Sequence, residues 1–199
     1  MKVTKKAEKI GARDRIINET KYLMGKECKL KFTTRDLSKK ADVNLASINY
    51  YYGSKAALVK RVEEEFYQLV EDVYSELNNN KRKPNENLQI WAEQLVKLLI
   101  EYPGIMYIWS YKVIVGKDTS KQFLDLFYSP DNPVTKIISK QLPKEKPEIV
   151  NFKSIQLVSD ILNPFVFNQN PQGKKYFDMK NEKSRKQYIE YAVESALKA

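Results

Sequence analysis

The segment from Phe32 to Leu58, FTTRDLSKKADVNLASINYYYGSKAAL, restricts this chain more than any other stretch, because it reads as two short helices, a tyrosine-rich tip and the start of a third helix. Thr33 and Asp36 stand three residues apart in a capping box, and Leu37 and Ala41 follow as the apolar positions of the helix it opens. Asp42 then marks a turn, Val43 offers an apolar plug, and Asn44 is a good N-cap for a second helix from about Leu45 to Tyr51. Gly53-Ser54 ends that helix and caps the next. Two short helices across a tight turn are the arrangement that lays one helix in the DNA major groove while its partner braces on the backbone.

The placement of charge points the same way. The formal net charge is +10, and residues 1–60 hold 15 Lys and Arg against 6 Asp and Glu, leaving 20 against 19 for residues 61–199. A segment so basic suits a polyanion, since each neutralised phosphate releases condensed counterions. A solvated lysine-rich surface explains many lysines but not their concentration at one end.

The run from Ala41 to Lys55, ADVNLASINYYYGSK, resembles the signature of the TetR (tetracycline repressor) family, roughly A-G-V-S-x-x-[ST]-[LI]-Y-x-[HY]-F-x-[ST]-K. The similarity reaches back to Arg13 and forward to about Phe66. Three positions depart from it: Asp42 stands where the turn glycine is usual, Asn49 where a tyrosine is common, and Cys28 where a glycine follows the first helix. Aspartate tolerates left-handed backbone better than most residues, so the turn is expected to survive.

The resemblance implies an all-α fold, with an N-terminal three-helix helix-turn-helix DNA-binding domain over residues 1–55. A larger helical ligand-binding and dimerisation domain is expected over 56–199. It carries DNA-contact roles onto Thr34, Asn44, Ala46, Ser47, Tyr50, Tyr51 and Lys55, and Arg35 is a reasonable addition beside Thr34. Thr34 opens the bracing helix, where its hydroxyl and exposed N–H groups suit a phosphate. Within the second helix, three- and four-residue spacing lets Leu45, Ile48 and Tyr52 lie on one side. Three consecutive tyrosines advance about 100° each and cannot all be core. Ile48 and Tyr52 go to the interior, and Ala46 and Ser47 are small enough for close approach. Asn44, Asn49 and Tyr50 face the groove as readers; Tyr51 and Lys55 hold phosphates. Leu45 completes the contact set.

Composition agrees with a helical class, because the chain has 6 glycines and many long helix formers. No stretch has the apolar length to span a bilayer and Met1–Lys6 lacks a signal-peptide core, so a cytoplasmic protein without a membrane partner is expected, and the resemblance implies a bacterial one. The single cysteine, Cys28, excludes an internal disulfide, and is read as an idle or buried thiol rather than a sensor. The sequence contains no histidine, which removes the commonest general base and metal ligand, and neither a phosphate loop nor a carboxylate cluster stands out. An enzyme, a metal site and a cofactor are therefore not expected.

Helical periodicity continues to the end. A first helix is predicted from about Lys5 to Met24, with Ala7, Ile10, Ile17, Leu23 and Met24 inward and Gly25 as its stop. Its leading lysines Lys5, Lys6 and Lys9 either follow the phosphate backbone or form a solvated terminus. A long helix from Ser54 to about Asn79 is followed by a polar loop to Pro84, then a helix capped by Asn85. Short helices divide Ile105 to Leu142 at Gly116 and at Pro130–Pro133. A helix from about Glu148 to Phe167, a polar loop from Asn168 to Asp178 and a last helix from about Asn181 close the chain.

By the same resemblance the middle region lines a cavity for an unknown small-molecule effector, with Trp91, Tyr107, Trp109, Tyr111 and Phe127 as candidates; aromatics at helical spacing are also ordinary core. The two closing helices either finish the core or pair with their copies in a homodimer through Ile155, Val158, Leu162, Ile189, Val193 and Ala196. The resulting expectation is a repressor that binds a near-palindromic double-stranded operator and leaves it when a ligand binds. The alternative is a ligand-independent DNA-binding or protein-interaction module on the same fold.

Overall fold

The structure is a computed structural model that describes residues 11–116 and 120–198. Among these residues every regular element is helical, with several N-terminal helices followed by a larger helical bundle. The chain divides into two compact units, Met1–Glu65 and Phe66–Ala199, and the division falls inside a single helix.

The first unit opens with α1, Ala12–Lys21, which runs into a five-residue π-helical turn, Tyr22–Lys26. Ile16, Leu23 and Met24 are buried there, whereas Ile17 is only half-buried. The predicted lead of this helix, with Ala7, Ile10 and the lysines at 5, 6 and 9, lies outside the described residues. Gly25 does not stop the helix as expected; it is buried within the π turn. The chain reverses at Cys28, whose φ is 53°, and the Lys29 N–H bonds back to the Leu23 carbonyl at 2.8 Å. That is a left-handed helix cap, the conformation glycine adopts most readily.

The next helix, α2 (Thr34–Lys40), is capped as predicted: the Thr33 hydroxyl oxygen accepts from the Asp36 N–H at 3.0 Å. The same hydroxyl donates to the Asp36 carboxylate at 2.7 Å, which lowers that carboxyl's pKa. Asp42 then takes φ 52° and the Val43 N–H returns to the Ser38 carbonyl, a second left-handed cap on a residue other than glycine. Among the described residues, Cys28 and Asp42 are the positive-φ positions that lack glycine, and both are positions where the sequence comparison expected one.

In α3 (Leu45–Tyr52) the Asn44 side chain accepts from the Ala46 N–H at 2.9 Å, and Gly53 ends the helix at φ 74°. The Ser54 hydroxyl caps α4 (Lys55–Ser75) through the Ala57 N–H. Leu37, Ile48, Leu58 and Val62 are fully buried, each adding roughly 1.5–3 kcal/mol by leaving water.

In the second unit α4 ends in a short 3₁₀ turn, Glu76–Asn78. Lys83 rather than Asn85 precedes α5 (Pro84–Glu101), because Pro84 fills the first helical position, where a missing N–H costs little. The buried Asn87 amide donates to the Leu77 and Asn79 carbonyls and fixes the loop between them. Next come α6 (Gly104–Val115), ended by left-handed Gly116, α7 (Ser120–Tyr128) and α8 (Pro133–Gln141), capped by Asn132. The unit closes with α9 (Pro147–Asn168), α10 (Pro171–Tyr176) and α11 (Glu182–Leu197). The predicted polar loop of 168–178 thus contains a short helix, begun by Asn170 accepting from the Gln172 N–H and by Pro171.

Helix α11 packs on α5 and α9, and α8 on α9. Arg185 joins α11 to α5 by a two-pronged bond to Glu93 at 2.7 and 2.9 Å, and its Nη1 donates to the Met179 carbonyl at 2.7 Å. That guanidinium lowers the Glu93 pKa. Among the described residues no helix is long and apolar enough to cross a membrane.

Candidate functional site

The outward side of α3 is built by what its inward side must bury. Ile48 is 0% exposed and anchors the helix, and the Tyr52 hydroxyl donates to the Arg13 carbonyl at 2.9 Å. With those two positions turned in, Ala46, Asn49 and Tyr50 emerge on the other side, and Tyr50 is 82% exposed. Its ring meets Tyr51 edge-on at 4.9 Å, so the two phenols hold one another in an exposed pair. Leu45 stands three residues before Ile48 yet is 46% exposed, as the first residue of the helix.

The remaining contact candidates fall into two groups. Arg35 and Asn44 are exposed, and Thr34 and Ser47 are half-buried. Lys55 is partly committed within the chain, donating to the Phe32 carbonyl and lying 4.4 Å from the centre of the Phe32 ring. Among the described residues this commits one of its three N–H donors to a hydrogen bond.

Arg15 was not singled out by the sequence. Its Nε donates to the Ala41 carbonyl at 3.0 Å and its Nη2 to the Asp42 carbonyl at 2.8 Å, so α1 grips the turn that sets α3 against α2. The available signal was physical: the last carbonyls of a helix attract a cation, and α2 ends at that turn. Lys40 adds weaker exposed pairs with Glu19 at 3.7 Å and Glu27 at 3.5 Å.

The effector candidates divide differently. Trp91, Trp109 and Phe127 are buried, with the Trp109 and Phe127 ring centres 4.9 Å apart. Tyr74, which the sequence reading passed over, meets Trp91 at 5.3 Å and Phe127 at 5.7 Å and completes the cluster. Tyr107 and Tyr111 belong to the exposed side of α6, because Ile105, Ile108, Trp109 and Lys112 occupy its buried side. Among the described residues the Tyr74 hydroxyl and the Trp91 and Trp109 indole N–H groups are buried with no hydrogen-bond partner. Each such group costs about 1–3 kcal/mol.

Of the dimer candidates, Val158, Leu162, Ile189, Val193 and Ala196 are buried and Ile155 is half-buried. Those five side chains are already covered within the single chain. The same helices leave Phe152, Val166, Phe167 and Tyr191 exposed instead. Of these, Phe167 lines a groove of about 590 Å³ together with Asn163, Tyr176 and Tyr188 among others.

Among the described residues no group of His, Cys, Asp and Glu side chains is placed to hold a metal ion. No protein-family model matches the chain. It is 30% identical over 93 residues to a probable HTH-type transcriptional regulator, YttP, of Bacillus subtilis (strain 168). The match takes in 47% of this chain and spans 42% of that relative's length.

Proposed function

We propose that the chain is a DNA-binding transcriptional regulator of the TetR type, with residues 1–55 as its DNA-binding domain and 56–199 as its regulatory and dimerisation domain. In this reading α2 and α3 form a helix-turn-helix. Asn44, Asn49 and Tyr50 read base edges, Ala46 and Ser47 allow close approach, Thr34, Arg35, Tyr51 and Lys55 bind phosphate, and Leu45 completes the contact set. The observation that carries the reading is the exposed polar and phenolic side of α3, opposite a fully buried Ile48, in a segment holding nearly all of the net charge. Partial similarity to a probable HTH-type regulator supports it.

Action as a repressor on a near-palindromic operator requires two copies, with their α3 helices about 34–36 Å apart. Phe152, Val166, Phe167 and Tyr191 are exposed apolar groups on the two closing helices and support pairing there. A small molecule in the second unit would release the operator by favouring a state in which that spacing is wrong.

The test is selection of duplexes from a random pool, followed by titration of salt against the enriched sequence. The expected result is an inverted repeat with half-sites one helical turn apart and affinity that falls steeply with salt. An unenriched pool, or binding indifferent to salt, would refute the reading.

A further inference from the structure

The basic charge of residues 1–60 skips the helix that the proposed reading puts in the groove: residues 44–54 hold no charged side chain at all. Leu45, Ala46, Asn49 and Tyr50 are exposed, and their three- and four-residue spacings put them together on one side of α3. Leu45, Ala46 and the Tyr50 ring offer apolar surface there, and Asn49 offers an amide. Among the described residues that amide is engaged by no partner within the chain, so its oxygen can accept while its NH₂ donates. Asn44 differs, because its side-chain oxygen already accepts from the Ala46 N–H as the helix cap. The next cation along the chain, Lys55, donates to the Phe32 carbonyl and lies against the Phe32 ring.

In the major groove guanine is read most often by Arg or Lys on O6 and N7, and the cytosine amino group by a carboxylate. Residues 44–54 contain neither kind of side chain. Adenine is read by an Asn or Gln amide that donates to N7 and accepts from the N6 amino group, and thymine by apolar contact with its methyl. Those are the two kinds of group that the exposed side of α3 carries. We infer that the operator positions facing α3 are A·T pairs, with Asn49 reading an adenine and Leu45, Ala46 and Tyr50 packing on thymine methyls. The inference rests on the reading of α3 as the helix that enters the groove, and it names the class of sequence read there. The cations elsewhere in the segment, Arg35 among them, then serve the phosphates, whose contacts fix position without reporting on sequence.

The probes are duplexes enriched from a random pool by the full-length protein, remade with one base altered at a time. Deoxyuridine in place of a contacted thymidine removes the methyl and should weaken binding about fourfold, the worth of one buried methyl group. 7-Deazaadenine removes the N7 acceptor and, scanned through a half-site, should weaken binding roughly tenfold at one position, whereas 7-deazaguanine should have no effect at the positions facing α3. Asn49→Ala should bind the normal and the 7-deazaadenine duplex alike, and Asn49→Arg should move the preference at that one position to guanine. Asn49 is exposed, so both variants should keep the wild-type melt. Enriched half-sites with G·C pairs facing α3, or affinity unmoved by 7-deazaadenine and deoxyuridine, would overturn the A·T class and leave the DNA-binding reading standing. A pool that yields no enriched duplex would overturn both.

Discussion

The two places where this chain concentrates aromatic side chains use them in opposite ways. On α3, Tyr50 and Tyr51 stack edge-on in the open, and their phenols face water among basic residues. In the second unit Tyr74, Trp91, Trp109 and Phe127 lie against one another with their polar atoms shut away from water. Residue type alone does not separate these uses. What separates them is where the nearest obligatory core residue stands: Ile48 forces the tyrosines two and three positions later outward, whereas Trp91 is itself the core residue of α5.

The largest expected break between the two regions comes from Trp91→Ala. Losing a fully buried indole costs roughly 3–5 kcal/mol and should lower the melting temperature by on the order of 10 °C. Tyr50→Ala, at an 82% exposed position, should leave that melt unchanged. If both variants melt alike, the contrast is wrong.

The Arg185–Glu93 pair tests how firmly the buried region is clamped. Replacing Glu93 by Gln strands the guanidinium partly buried and should cost roughly 3 kcal/mol at pH 7. Because Arg185 holds the Glu93 pKa below its unfolded value, the stabilisation is complete above that unfolded value of about 4.3 and is lost as pH falls through the folded one. The gap between wild type and Glu93→Gln should therefore close in melts taken towards pH 3. A gap independent of pH would remove this linkage.

On the exposed side, Tyr50→Ala should weaken operator binding by roughly 10–100-fold, the cost of about 1–3 kcal/mol for a lost base contact. Fluorescence anisotropy with a labelled duplex measures it, and unchanged affinity would take Tyr50 out of the contact surface. The smallest effect is expected from Cys28→Gly. Relieving left-handed backbone at φ 53° should stabilise the protein by about 1 kcal/mol and raise its melting temperature by about 2–4 °C.

Much of the local structure was legible because it depends on near neighbours. The Thr33 and Asn44 caps, the Gly53 and Gly116 stops and the apolar spacing of α5 are each decided within a turn or two. The parts that were not legible depend on distant residues. Arg15 reaches Ala41 and Asp42 across 26 and 27 positions, and Glu93 meets Arg185 across 92. The burial of the dimer candidates depends on distant residues too. Periodicity identifies the apolar side of α9 and α11, but only packing tells whether that side is covered by the same chain. The short helix α10 was hidden by its glycine and polar residues, although Asn170 and Pro171 are helix-start signals in retrospect.

The Arg15 grip on the turn before α3 bears on how a DNA reader of the proposed kind would be tuned. Because the pitch of α3 is fixed by a side chain on a different helix, grip strength on a target can drift without altering any atom that touches it. Exchange of that arginine for lysine would keep the charge yet give up the fork that pins two carbonyls at once, leaving α3 to wobble in its seat.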